Sequence, residues 1–168
     1  MRPALLLALL LPLPLLAAEP TPEIRRDAIK PQAVGAVHTL RTIPEACARI
    51  EGLFTGTAAE PYKFAVVRTG ANCQARARFV DAAKAKPSEQ SGWKFNDLLR
   101  VPNAGCPSQQ AVVRIWRKAA DAAPPQLDAQ GRSRIYLKDA TAKAKAQGAS
   151  NLPVFAASMA VEGKSCDG

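Results

Sequence analysis

The sequence predicts an α+β domain: an antiparallel sheet of four to six strands, made of two consecutive hairpins, with one or two helices packed on one face and two disulfides. Three observations carry that prediction. Residues 62–80 and 93–118 each read as two β-rich runs around a polar turn. Ile43, Cys47, Ile50 and Phe54 recur at the spacing of one helical face. Cys47, Cys73, Cys106 and Cys166 form an even, scattered set behind an export signal, which is the pattern of a disulfide framework.

The elements follow in order. Residues 1–18 open with Arg2, run through a leucine-rich stretch broken by Pro12 and Pro14, and end in Ala17-Ala18, so they read as a secretory signal peptide cleaved after Ala18. Residues 19–35, with three prolines and the Arg25-Arg26 pair, read as an extended leader. Residues 36–168 then form a single disulfide-stabilised domain. A first strand covers 37–43. Thr42 and Glu45 fit a capping box that opens a helix over 42–54 and turns Cys47 toward the core.

The first hairpin joins 62–69 to 73–80 through Gly70-Ala71-Asn72, with Cys73, Ala75, Ala77 and Phe79 inward and Arg76 and Arg78 outward. The second joins 93–101 to 111–118 through the turn at 102–107, and the extra residue between Phe95 and Leu98 suits a β-bulge. Its opening Trp93-Lys94-Phe95 echoes Tyr62-Lys63-Phe64, which suggests a short repeat. The Ala/Pro/Gly-rich stretch after Ala119 reads as a linker, 133–147 as a helix ending at Gly148, and 152–161 as a last strand covering a sheet edge. Cys166 ties down the tail. Side-chain direction favours Cys47–Cys73 with Cys106–Cys166 over the rival Cys73–Cys106 with Cys47–Cys166.

Composition excludes much. Without the signal, 150 residues remain, 22 of them basic and 14 acidic, a formal charge of +8 that favours an anionic partner. Only 28 of those 150 are Leu, Ile, Val or Phe and 29 are Ala, so cross-links offset a thin core. The single histidine, His38, rules out two-imidazole metal sites and two-histidine acid/base chemistry and reads as a polar strand residue. The HExxH, GxSxG, P-loop and dinucleotide-binding patterns are all missing, and no spacing singles out a carboxylate pair, so no catalytic residue, metal or cofactor is expected.

Laid on the strands, Arg76, Arg78, Lys94, Arg100, Arg114 and Lys118 fall opposite the apolar positions, together with Trp116. Such a face is either the solvated side of the sheet or a surface for phosphates and sulfates, with an indole to stack on a ring. The expectation is a periplasmic or secreted, monomeric, non-catalytic binding or accessory protein whose partner is an anionic envelope polymer or an acidic protein. Nucleic acid fits the charge but no motif supports it. Two other classes are an exported inhibitor or immunity-type protein, presenting the turn at 102–107 to an enzyme, and a small hydrolase built on His38 or two carboxylates.

Overall fold

A computed structural model describes residues 19–118, 142 and 152–166. The chain runs β1 (Ile24–Arg25), β2 (His38–Ile43), a 3-10 turn (Pro44–Ala46), β3 (Ala48–Phe54), β4 (Tyr62–Arg68), β5 (Arg78–Asp81), α1 (Ala82–Ala85), β6 (Trp93–Asn103), β7 (Cys106–Lys118) and β8 (Val154–Gly163). The strands make two sheets, ordered β1-β6-β7-β8-β5 and β2-β3-β4. Leu40, Ile43, Ile50, Phe54 and Tyr62 of the smaller sheet meet Leu99, Val101, Val113, Ile115 and Phe155 of the larger in one buried cluster, so the two sheets face each other across a sandwich core.

The main departure from expectation is the missing helix at 42–54. Pro44–Ala46 makes a single 3-10 turn, and Cys47 ends it in the left-handed region at φ 49°. The next seven residues form β3, with Ala48, Ile50, Gly52 and Phe54 buried and Arg49, Glu51 and Leu53 partly exposed. A spacing of four is shared by both periodicities, so Ile50 and Phe54 share a face on a helix or a strand alike. The odd step from Cys47 to Ile50 starts at the residue that closes the turn and is not yet in the strand, and β3 then pairs on both sides, with β2 and with β4. α1 is an α-helix of four residues, its first turn capped by the Asp81 carboxylate accepting from the Ala83 N–H at 3.0 Å; Ala142 is also helical.

The first hairpin is also different. β4 folds back on β3 rather than forward, and 73–77 is a loop held to Cys47 by its disulfide. β5 pairs instead with β8, and in parallel; β1 pairs in parallel with β6, so the larger sheet is mixed rather than antiparallel. The two echoing segments fall in different sheets with different partners and are not equivalent units. The second hairpin is as expected, with its bulge between Phe95 and Asp97 and the Asn103 side chain accepting from the Gly105 N–H in the turn. β8 lies between β7 and β5, inside the sheet rather than along its edge.

The disulfides are Cys47–Cys73 and Cys106–Cys166, with Cα atoms 5.8 and 5.6 Å apart. They are the bonds of an oxidising, extracellular-type compartment. No helix among the described residues is long and apolar enough to cross a membrane. The signal at 1–18, the linker after Ala119 and, Ala142 apart, the helix at 133–147 lie outside the described residues.

The leader does more than precede the domain. It runs along the free edge of β6, where Glu23 N–H donates to the Phe95 carbonyl, Ile29 N–H to Arg100 and Gln32 N–H to Pro102. Ala104 N–H donates back to Gln32, so the β6–β7 turn is clasped by the leader as well.

Candidate anion-binding face and buried charge cluster

The larger sheet turns one face to the core and one away from it. Cross-strand register fixes which residues share the outer face: Arg100 lies opposite Val112, Leu98 opposite Arg114, Phe95 opposite Trp116 and Trp93 opposite Lys118. On the far side of β7, Ser158 stands beside Arg114 and Val154 beside Lys118, and Val154 in turn pairs with Arg78. Arg78, Arg100, Arg114, Trp116 and Lys118 therefore share one face. Two expected members do not join them. Lys94 pairs with Arg117 and points to the other side, because the bulge sets Phe95 and not Lys94 in phase with Trp116. Arg76 precedes β5 and belongs to the disulfide-tied loop.

This face is not a bare solvated surface. Val112 and Ala156 are fully buried on it, as are Trp93 and Phe95 at 5 % and 3 % exposure. The Trp116 indole meets Phe95 edge to face at 5.7 Å, and the Lys118 ammonium stands 5.7 Å from the centre of the Trp93 ring. Beside this aromatic group the Glu19 carboxylate is bonded to the Arg114 guanidinium. That bond and the Arg114 charge hold the Glu19 carboxyl below its ordinary range, with a further pull from Arg100.

A second charged group, on the inner face, was missed by residue-type reasoning. Asp97 is completely buried and accepts from Arg26 Nε at 2.7 Å, while Arg41 Nε lies 3.4 Å from the same oxygen. Arg41 also donates to the Asn96 side-chain carbonyl. Burial pulls the Arg41 guanidinium down from its ordinary value and the Asp97 charge pulls it back up. Arg117 binds Glu23 at 2.7 Å beside this group. The signal was an acid in phase with Leu99 and Val101, at a core-facing position of the strand.

His38 is a structural partner. Its Nε2 lies 3.0 Å from the Tyr62 hydroxyl and its Nδ1 3.4 Å from the Ala36 carbonyl. Burial lowers the imidazole below its ordinary value and raises the phenol, so a neutral ring accepting from Tyr62 satisfies both. Gly52 makes the room, because a Cβ there would sit 1.9 Å from the Tyr62 oxygen. No carboxylate or nucleophile among the described residues hydrogen-bonds to this pair, and no three metal-ligating side chains among them converge. No family model, curated protein or solved structure matches the chain, so the reading of these sites rests on its own residues.

Proposed function

We propose that this chain is an exported, non-catalytic binding protein whose outer sheet face, through Arg78, Arg100, Arg114, Trp116 and Lys118, holds an anionic polymer of the cell envelope. The observation that carries the reading is Glu19. Its carboxylate is bonded to Arg114 and drawn on by Arg100, the position that a sulfate, phosphate or carboxylate of a partner would take. The surrounding indole and the lysine over Trp93 supply a ring-stacking surface next to the charge. The formal net charge of +9 over the whole sequence adds a long-range attraction of the same sign.

The test is a salt-titrated binding panel on the oxidised chain with lipopolysaccharide, peptidoglycan and duplex DNA, alongside Arg100→Glu/Arg114→Glu and Glu19→Gln. One ligand is expected to bind with an affinity that falls as salt rises. The double variant should bind it about tenfold or more weakly, and Glu19→Gln more tightly, because the internal competitor is gone. Failure of all three ligands to bind, or equal binding by wild type and the double variant, rejects the reading.

A further inference from the structure

β4 is the open edge of the smaller sheet. It pairs with β3 through seven consecutive residues, without a bulge, and no strand among the described residues lies on its other side. The phase of its hydrogen bonds follows from those that flank it: Thr69 N–H donates to the Cys47 carbonyl at 3.0 Å and Thr55 N–H to Pro61 at 3.1 Å. Antiparallel pairs alternate between bonded and non-bonded, so Lys63, Ala65 and Val67 bond to β3. The N–H and C=O groups of Tyr62, Phe64, Val66 and Arg68 point outward, and no backbone partner for them occurs among the described residues. The edge also lacks an internal proline, one usual guard against strand addition.

The same residues line the inner face of β4, and the core does not close over them. Tyr62 is buried, Phe64 is half-buried, and Val66 is 43 % exposed although Ile50, its neighbour across the ladder, is fully buried. Three hollows, of about 530, 340 and 380 Å³, follow β4 from Tyr62 to Arg68. Their opposite walls are Met159, Ala157 and Phe79 of the larger sheet. Among the described residues the sandwich is therefore open between β4 and β5. Near this opening Arg68, Arg76, Lys84 and Lys86 form no ion pair with any described residue. Of the nearby acids, Glu60 pairs with Lys63 at 2.8 Å, Glu51 pairs with Arg49 at 2.6 Å and Asp81 caps α1.

We propose that this opening receives an extended, acidic segment of a partner protein as an added strand along β4. A polypeptide backbone alone supplies alternating acceptors and donors at the spacing of Phe64 and Val66, which a sugar or phosphate chain does not. Apolar side chains at every second position would enter the hollows beside Phe64, Val66 and Phe79. Acidic residues between them would lie in the positive field of these cations. The surface is separate from the outer face of the larger sheet.

The probe is the peptide acetyl-Asp-Val-Glu-Val-Asp-Val-Glu-amide, titrated into the oxidised chain by calorimetry, with amide hydrogen exchange followed by NMR. Binding is expected with protection of the Phe64 and Val66 amides. The counterpart with lysine at the acidic positions, and the acidic peptide N-methylated at alternate amides, should each bind about tenfold or more weakly. Val66→Glu, at a half-exposed position the fold tolerates, should weaken binding by a similar factor, while Arg100→Glu/Arg114→Glu leaves it unchanged. The proposal is overturned if the peptide fails to bind at about 1 mM or if N-methylation has no effect. It is equally overturned if the double variant abolishes binding, or if duplex DNA or a second copy of the chain protects the same amides and the peptide does not.

Discussion

Asp97 owes its burial to its phase with Leu99 and Val101 on β6. That phase turns its carboxylate to the inner face, where Arg26 and Arg41 meet it. The Arg41 side chain is only 12 % exposed, so the carboxylate is the compensation for a cation held out of water. Asp97→Asn keeps the volume and removes that compensation. It should lower unfolding free energy by about 3–5 kcal/mol, measured by urea denaturation. Adding Arg41→Met to Asp97→Asn should recover part of the loss, since the one cation then left without its carboxylate, Arg26, is 38 % exposed and can be solvated. An unchanged urea midpoint in the single variant would show that the cluster contributes nothing to stability.

At the scale of elements, the disulfides tie two irregular segments, 73–77 and 164–166, to the rest of the fold. Cys47–Cys73 closes a separation of 26 residues and fixes the loop that leads into β5, while Cys106–Cys166 closes 60 and anchors the end of β8 to the start of β7. In the chain-entropy treatment these are worth about 3.5 and about 4 kcal/mol. Replacing each pair with serine should therefore cost similar amounts, slightly more for the longer loop, as read from thermal or urea unfolding. A Cys106→Ser/Cys166→Ser variant that unfolds at the wild-type midpoint would contradict this.

The second hairpin and its bulge were legible because each rests on local pattern: alternation and a polar turn. The favoured disulfide pairings are present, but not for the reason of direction that favoured Cys47–Cys73, since Cys47 ends a 3-10 turn and Cys73 lies in a loop. The β3 strand was not, because Ile50 and Phe54 satisfy both periodicities and the choice between them was made by pairing with β2 and β4. The fate of β5 was equally hidden. Its partner is β8, far along the chain, and only the assembled sheet shows that β4 turns back to β3. For the same reason the basic face was read in part: Arg100, Arg114, Trp116 and Lys118 follow from one correct hairpin, while Lys94 was misplaced by the bulge and Arg76 by a strand that is a loop.

At the scale of the whole molecule, the larger sheet has two edges and treats them differently. The β6 edge is covered by the leader, through β1 and the bonds from Glu23, Ile29 and Gln32, with ion pairs from Glu19, Glu23 and Arg26 holding it in place. A chain starting at Gly35 would expose the backbone of the eleven-residue β6. It should self-associate in a concentration-dependent way under sedimentation, to larger species than the full chain forms. Identical sedimentation of the two would mean that the leader is not what guards that edge.

The position of β8 has a consequence for the order of events in making the molecule. β8 fills the space between β7 and β5, so a chain emerging from the ribosome has β5 in hand long before the strand that completes its sheet exists. Pairing over so long a separation is slow, and until it happens the β7 edge also lacks its neighbour. A protein arranged in this way cannot complete its larger sheet until β8 has been made. Were the chain exported, as proposed, that delay would keep the polypeptide threadable until it had crossed the membrane.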